Sequence, residues 1–203
     1  MPEPAGHYFD GDPAAASRPT TIRLDLPDRS LTLTTDRGVF SADRIDDGTK
    51  YLLLAAPAPP AAGTFVDLGC GYGPIACTLA ARAPDATVWA VDVNQRALDL
   101  CRANAAALRL ANLRVAHVDD VPAELSIDRL WSNPPIRIGK DALHALLLGW
   151  LGRLSPDGSA VLVVQKHLGS DSLARWLTEQ GHPTTKLRSR AGYRLLEVAG
   201  IDR

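Results

Sequence analysis

The chain has 203 residues, of which 46% are hydrophobic and 22% charged, and its formal net charge is −1. This length suits one domain with a sizeable core, and the composition is that of an ordinary soluble globular protein. The near-neutral charge excludes a protein that coats nucleic acid or membranes by bulk charge, so any nucleic-acid site would be a local basic patch.

Cysteine usage and the absence of targeting signals predict a cytoplasmic protein. The three cysteines, Cys70, Cys77 and Cys101, form no CxxC pair and lie among small apolar residues, which favours reduced thiols. The sequence has no run of about 18 apolar residues and no signal-peptide pattern at its N-terminus. Its histidines lack metal-ligand spacing. We therefore expect neither a membrane nor a metal as a partner.

Residues 1–55 are predicted to form an N-terminal arm and a β-hairpin extension. The arm is rich in Pro, Ala, Gly and Asp and contains a His7-Tyr8-Phe9 cluster. This cluster would either fold over the cofactor or substrate or, in the interpretation that we favour, pin the arm to the domain. The runs TIRLDL and LTLTT flank a Pro-Asp-Arg-Ser turn, a pattern typical of a hairpin. The proline-rich stretch 56–63 then opens the main domain, predicted over 56–203.

Strands and helices alternate after this connector. The runs TFVDLG, TVWAVD, LRVAHV, DRLWS and SAVLVVQ are predicted strands, and helices are predicted over 74–83, after Asn94, over 141–154 and over 172–180. TTKLRSR and YRLLEVAG close the chain as a hairpin. The pattern predicts an α/β fold with a doubly wound, mostly parallel seven-stranded sheet and an antiparallel addition at its edge.

The first of these strands runs into a glycine loop, DLGCGYGP, over 67–74. Alternate glycines let the backbone turn tightly and approach a ligand, and the helix that follows offers free N–H groups. The second strand ends in Asp92, where an acid can accept hydrogen bonds from ribose hydroxyls. The alternatives are a merely tight turn, a helix cap at Asp92, although Asn94 is better placed to cap, and a nicotinamide-dependent oxidoreductase. The GxGxG spacing differs from the GxGxxG of dinucleotide binders.

The fourth strand ends in a stiff polar elbow, WSNPPIRIGK, over 131–140. Two prolines end the strand and hold the preceding asparagine extended. A carboxamide oxygen and a backbone carbonyl at this place can accept the two hydrogens of a planar amine and free its lone pair for reaction. Asn133 would supply the first acceptor, Pro134 the second, and Pro135 would fix both. These three are the predicted catalytic residues.

Three motifs carry a resemblance to a known family. VDLGCGYG and AVDVN resemble the first two motifs of the class I S-adenosylmethionine (AdoMet)-dependent methyltransferases, and SNPPIRIG with its context is similar to the small-domain group that includes 16S ribosomal RNA guanine-N2 methyltransferases. The resemblance implies a Rossmann-like fold, S-adenosyl-L-methionine as the cofactor, and catalysis by the domain over 56–203. The cofactor-binding residues that it implies are Asp67, Gly69, Cys70, Gly71, Gly73, Asp92, Val93, Asp119 and Asn133. Asp119 is chosen over Val118 and Asp120 for contact with adenine.

The resemblance also implies the kind of substrate, which is an exocyclic amine. The favoured amine is N2 of guanine in ribosomal RNA of the small ribosomal subunit. A protein glutamine amide, which presents the same two hydrogens, is the alternative within this chemistry, and a cofactor-binding module without turnover lies outside it. The family usually has Phe or Tyr after the prolines, where this chain has Ile136.

Several cations accompany the elbow. Arg137 and Lys140 follow it, and Lys186, Arg188 and Arg190 alternate along a predicted strand, so the last three are expected to project from one face. They would contact phosphates or merely protect an edge strand by charge. The predicted substrate-binding residues are Ile136, Arg137, Lys140, Lys186, Arg188 and Arg190.

Overall fold

The computed structural model describes residues 16–201, so the His7-Tyr8-Phe9 cluster lies outside the described residues. Within this range the chain alternates strands with helices. In chain order the elements are β1 (Thr20–Leu26), β2 (Arg29–Thr35), α1 (Asp47–Ala55), β3 (Ala62–Leu68), α2 (Pro74–Arg82), β4 (Asp85–Asp92), α3 (Gln95–Ala107), β5 (Leu113–His117), β6 (Ile127–Ser132), α4 (Lys140–Leu151), β7 (Leu154–Gln165), α5 (Ser170–Glu179), β8 (Thr184–Arg190) and β9 (Tyr193–Ala199).

The main sheet confirms the predicted α/β fold. Its seven strands lie in the order β5-β4-β3-β6-β7-β9-β8, and only β9 runs antiparallel to its two neighbours. From β3 the chain builds outward through β4 and β5, and then returns to place β6 on the other side of β3. Ligands bind at such a switch point, beside the carboxyl ends of the strands.

Helix α1 is an element that the sequence reading missed, because it took 21–54 as short alternating runs. The helix starts at a capped position, where the Asp46 side chain accepts a hydrogen bond from the Thr49 backbone N–H. It is only nine residues long, and Gly48 and Thr49 in its first turn are poor helix formers. Tertiary packing of Leu52 and Leu53, both buried, stabilises it instead.

The sheet is buried on both faces. The face toward α1, α2 and α3 carries one apolar cluster, which includes Leu33 of the hairpin, Leu52 of α1 and Phe65 of β3. The face toward α4 and α5 carries the other, which includes Leu147 and Leu177. The hairpin and α1 therefore share a core with the sheet, and the division near residue 55 remains a prediction.

A β-bulge in β8 overturns the expectation that three cations share one face. Lys186 pairs with Leu196 on β9, whereas Arg188 pairs with Leu195, because the register shifts between them. Cross-strand partners project to the same side of a sheet, and successive residues to opposite sides. Lys186 therefore faces the α5 side, and Arg188 and Arg190 face the other side.

Two smaller features complete the fold. The cysteines are free and buried, in agreement with the reduced thiols that were predicted. In the part of the chain that the structure describes, no helix is long and apolar enough to cross a bilayer.

Candidate active site

A cleft opens at the carboxyl ends of β3, β4 and β6. Its empty space is about 720 Å³ when the open mouth is included. The predicted cofactor residues on its wall are Gly69, Gly71, Asp92, Val93 and Asn133. A second cavity shares Phe40, Gly69, Gly71 and Asn133 with this cleft and reaches toward Asp46, Thr49 and Tyr72.

The glycines of the loop have two different roles. Gly69 and Gly71 have φ angles of +75° and +55°, and a Cβ added to either would meet nothing within 4 Å. They give the loop its turn and leave open space beside it, where a ligand can approach the backbone. A Cβ at Gly73 (φ +94°) would instead lie 2.6 Å from Cys101 Sγ. Gly73 serves packing against the buried thiols.

Asp92 ties the glycine loop to the end of β4. One carboxylate oxygen accepts a hydrogen bond from the Gly71 N–H at 2.8 Å, and the other accepts from the N–H groups of Val93 and Asn94 at 2.8 and 3.0 Å. Burial raises the pKa of this carboxyl, and the three donors oppose that shift. The helix-cap alternative falls away, because Asn94 accepts the capping bond from the Ala97 N–H at 3.1 Å. One acceptor position of Asp92 stays available for a hydroxyl.

Asp67 lies beneath the loop and not on the wall of the cleft. It is fully buried, and one oxygen accepts a hydrogen bond from the Ala76 N–H at 2.9 Å. The other oxygen has no partner among the described residues. Burial raises the pKa of Asp67 to about 8, and the nearby Asp92 carboxylate adds to the rise. Asp67 is therefore largely protonated at neutral pH and anchors the first turn of α2.

Two other predicted cofactor residues lie apart from the main wall. Asp119 is not on the wall: its side chain is 84% exposed and its carboxylate lies 3.3 Å from His117 Nδ1, whereas Val118 lines the cleft. Cys70 is buried and lines the second cavity, and burial raises the pKa of its thiol to about 12. Cys70 thus offers a neutral, unreactive wall.

The elbow is fixed at the end of β6. Ser132 Oγ donates a hydrogen bond to the Leu68 carbonyl at 2.7 Å, which joins the ends of β6 and β3. The Ile136 N–H donates to the Pro134 carbonyl at 2.8 Å across Pro135, whose angles of φ −74° and ψ 75° are those of an inverse γ-turn. The Pro134 carbonyl retains a second lone pair.

Asn133 lies on the wall of both cavities, and its amide is oriented by α1. Its Nδ2 donates to Asp46 Oδ2 at 2.8 Å and to Thr49 Oγ1 at 3.1 Å. No described residue donates a hydrogen bond to its Oδ1. The amide thus has its nitrogen anchored and its oxygen left to accept.

The residues after the elbow separate by environment. Ile136 is half-buried and packs against the apolar cluster beneath α4 and α5. Ile136 lines neither cavity. Arg137 and Lys140 are exposed. Two aromatic side chains border the cavities: Phe40, which is 39% exposed, contributes to both walls, and Tyr72 contributes to the second alone.

Sequence reasoning missed Asp46, Thr49 and the position of Phe40. A helix-start signal was present, because an aspartate stands three residues before Thr49 and an apolar run follows. No local signal connects these residues to Asn133, which lies 87 positions after Asp46. Their juxtaposition comes from the packing of α1 on the sheet.

A doubly wound sheet, a glycine loop after β3, an acid at the end of β4 and an Asn-Pro-Pro elbow after β6 together define a class I AdoMet-dependent methyltransferase. The chain matches the model of the Methyltransferase small domain over residues 30–197, and it belongs to that family. Its cofactor is therefore S-adenosyl-L-methionine.

Relatives are similar over most of the chain. The uncharacterized protein YbxB of Bacillus subtilis is 31% identical over 96% of this chain and 98% of its own length. Ribosomal RNA small subunit methyltransferase C of Shewanella loihica is 31% identical over 75% of this chain and 46% of its own length. Ribosomal RNA large subunit methyltransferase G of Shewanella amazonensis is 31% identical over 79% of this chain and 43% of its own length. The chain thus spans less than half the length of these ribosomal RNA methyltransferases.

Solved structures confirm the fold. The Thermus thermophilus 16S rRNA N2 G1207 methyltransferase, solved with AdoMet and guanosine, superposes with a TM-score of 0.76 at 23% identity. The match covers 92% of this chain and 52% of that one. The Methanocaldococcus jannaschii TYW2 structure, solved with AdoMet, gives a TM-score of 0.58 over 91% of this chain and 87% of that one, at 16% identity.

Proposed function

We propose that the protein methylates the exocyclic amine of a nucleobase, N2 of guanine in ribosomal RNA. The observation that carries the proposal is the placement of Asn133, whose anchored amide lies on the wall shared by the two cavities. The names of the Shewanella and Thermus methyltransferases support RNA, and guanine N2, as the target.

The residues of the chain fit the cofactor. Gly69 and Gly71 leave open space along the backbone, Asp92 keeps an acceptor position for a ribose hydroxyl, and Val118 supplies an apolar wall for adenine. S-adenosyl-L-methionine supplies an electrophilic methyl group when bound. A contact between Asp119 and adenine remains a hypothesis. The exposure of the Asp119 side chain favours Val118 as the residue that contacts adenine.

The elbow would prepare the target nitrogen. The lone pair of an exocyclic amine is delocalised into the ring, so this nitrogen is a poor nucleophile. Asn133 Oδ1 and the Pro134 carbonyl would each accept a hydrogen bond from one of its two N–H groups. These bonds would draw the nitrogen toward tetrahedral geometry, and Pro135 would hold both acceptors in place. No strong base is needed, since the nitrogen becomes acidic on methylation and releases its proton afterwards.

Cations at the same edge of the sheet favour RNA over a peptide. Arg137 and Lys140 follow β6, Lys166 follows β7, and Arg188 and Arg190 end β8, which runs parallel to β7. All five are exposed and have no acidic partner among the described residues. Lys186 does not join them, because it lies on the other face and pairs with Asp171. Such a surface would contact phosphates.

The test is transfer of a labelled methyl group to ribosomal RNA, or to small ribosomal subunits, from cells that lack the gene. We expect label in N2-methylguanosine with wild type, and a turnover lower by about 10²-fold or more with Asn133→Ala, because an acceptor of the reacting amine is lost. The affinity of Asn133→Ala for AdoMet should stay within a few-fold of the wild-type affinity.

The matched control is Asn112→Ala. Asn112 Nδ2 donates to the carbonyls of Ala80, Ala83 and Ala86 at 3.2, 3.0 and 3.0 Å, at the end of the sheet opposite the cleft. Its loss should lower stability and leave the rate of transfer by the folded protein unchanged. Label that appears in a protein glutamine instead of RNA would assign the other amide-bearing substrate. Absence of transfer to both would contradict the proposal.

A further inference from the structure

Asp46 connects α1 to the elbow after β6. Its Oδ2 accepts hydrogen bonds from the Thr49 backbone N–H at 2.9 Å and from Asn133 Nδ2 at 2.8 Å. Thr49 Oγ1 accepts a second hydrogen bond from the same Nδ2 at 3.1 Å. Both amide hydrogens of Asn133 are therefore held by the first turn of α1.

This pairing permits one orientation of the amide. The amide nitrogen carries two donors, and a carboxylate can only accept. Rotation of the amide by 180° would bring Asn133 Oδ1 against Asp46 Oδ2, so that two acceptors would face each other without a proton between them. Asp46 thus keeps the oxygen of Asn133 on the side turned away from α1.

Packing confines the Asp46 carboxylate. A Cβ at Gly48 would lie 2.8 Å from Cε1 of Tyr193 and 2.9 Å from Oδ2 of Asp46, so only glycine lets the ring and the carboxylate come this close. The Tyr193 hydroxyl is in turn hydrogen bonded to Gln165 Nε2 at 3.1 Å. The carboxylate is a fixed part of the site and does not swing freely in solvent.

We propose that Asp46, assisted by Thr49, is a positioning residue for methyl transfer. Asp46 fixes the Asn133 oxygen where it accepts a hydrogen bond from the target amine. It acts through Asn133, since the groups proposed to accept the hydrogens of the target amine are Asn133 Oδ1 and the Pro134 carbonyl. The inference rests on the proposed function of Asn133, but the contact that it invokes can be measured without any substrate.

Three substitutions separate capping of α1 from positioning of Asn133. Asp46→Asn keeps an oxygen that can accept from both donors, as Oδ2 does in the structure. Asp46→Ser keeps a good helix cap, because serine ranks with aspartate at this position, but its shorter side chain loses the contact with Asn133. Thr49→Val removes only the hydroxyl acceptor and leaves the cap in place.

The first readout is the pair of side-chain amide NMR signals of Asn133, identified by their absence in Asn133→Ala. We expect these signals to keep their positions in Asp46→Asn and to move toward those of a free amide in Asp46→Ser. A smaller shift in the same direction is expected in Thr49→Val. Backbone signals away from α1 should not change.

The second readout is methyl transfer. Asp46→Ser should lower kcat by about tenfold or more, since a misplaced acceptor costs catalysis, while the Kd for AdoMet stays within about twofold. Asp46→Asn should keep most of the wild-type rate. In an Asn133→Ala background, Asp46→Ser should cause no further loss, because the group through which it acts is gone.

Three results would overturn the inference. One is an Asp46→Ser protein with wild-type Asn133 signals and rate. Another is Asp46→Asn as slow as Asp46→Ser, which would assign the effect to charge. The third is an additional loss in the Asn133→Ala background. If Asp46→Ser fails to fold, Thr49→Val decides by the same readouts. A wild-type protein without transfer activity would instead contradict the proposed function, and the NMR measurement would still decide the contact.

Discussion

At the scale of residues, three aspartates near the carboxyl ends of β3, β4 and β5 differ in what surrounds them. Asp67 is fully buried, Asp92 is enclosed by three backbone N–H groups, and Asp119 is exposed beside a histidine. A carboxylate that accepts several N–H bonds organises the backbone around it, whereas an exposed one is held mainly by water. Their contributions to binding and stability should differ accordingly.

We expect Asp92→Ala to weaken AdoMet binding by about 1–3 kcal/mol, because it removes charged hydrogen bonds to the loop and the one proposed to a ribose hydroxyl. Isothermal titration calorimetry measures the change. Asp119→Ala is the matched control, an acid at the same edge of the sheet that is exposed and lies off the cleft wall, and should bind AdoMet as wild type does. Equal losses in the two variants would restore Asp119 to the adenine site and remove the special role of Asp92.

Asp67 should make stability depend on pH. Its pKa is about 8 in the folded protein against the ordinary value of 3.8 for an aspartate, so between these values the folded state holds a proton that the unfolded state has released. Stability therefore falls as pH rises through this window, by up to about 1.4 kcal/mol per pH unit. Below the window both states are protonated, so the stability associated with Asp67 is fully present and no longer depends on pH.

Asp67→Asn should remove this dependence. The asparagine oxygen can still accept from the Ala76 N–H, and the side chain does not titrate. Urea unfolding at pH 5, 6.5 and 8 should show the stability of the variant relative to wild type rising with pH. A difference that stays constant over this range would mean that Asp67 is already ionised in the folded state.

At the scale of elements, the bulge in β8 decides on which face of the sheet each of its cations lies. Strict alternation would place Lys186, Arg188 and Arg190 on one face, and the register shift moves Lys186 to the other. There Lys186 and Arg194 both pair with Asp171 of α5. The sequence pattern alone could not show the bulge, because one extra residue leaves an alternating polar run looking unchanged.

The two faces of β8 give a test with an internal control. Arg188→Gln together with Arg190→Gln should weaken RNA binding and lower the slope of log affinity against log salt by roughly 1.5, since two phosphate contacts are lost. Lys186→Gln, on the other face, should leave the slope as in wild type. Fluorescence anisotropy at several salt concentrations measures both. If Lys186→Gln lowers the slope and the double arginine variant does not, the assignment of Arg188 and Arg190 as the phosphate contacts is contradicted.

At the scale of the whole molecule, the extension before residue 56 is joined to the sheet. Oδ1 of Asn104 in α3 accepts a hydrogen bond from the Thr34 N–H at 2.7 Å, and its Nδ2 donates to the Thr34 carbonyl at 2.9 Å. The same Nδ2 donates to the Tyr72 carbonyl in the glycine loop at 2.8 Å. Leu52 of α1 is fully buried in the same cluster as Trp131. The site therefore depends on both parts of the chain.

A shared core predicts that a change in α1 destabilises the whole protein. Leu52→Ala should lower the free energy of unfolding by about 2–5 kcal/mol, because it opens a cavity in the core. Leu54→Ala, in the same helix but 46% exposed, should change it by about 0.5 kcal/mol or less.

Urea unfolding followed by tryptophan fluorescence and by circular dichroism measures both variants. The two signals should change together, since the fluorescence reports on the four tryptophans, which lie in β4, β6, α4 and α5, and the dichroism on the whole chain. Separate transitions, with the fluorescence transition unmoved by Leu52→Ala, would instead support an extension that folds apart from residues 56–203.

The sequence by itself determined the α/β class, the seven strands, the glycine loop with Asp92, and the Asn133-Pro134-Pro135 elbow. These features follow from periodicity, glycine and proline chemistry and strand ends, all of which act within a few residues. Four other features follow from tertiary packing: α1 forms, Asp46 and Thr49 hold the amide of Asn133, Val118 and not Asp119 lines the cleft, and Lys186 faces away from Arg188. The physical reason is that each of these depends on contacts or register between elements far apart in the chain, which local patterns do not encode.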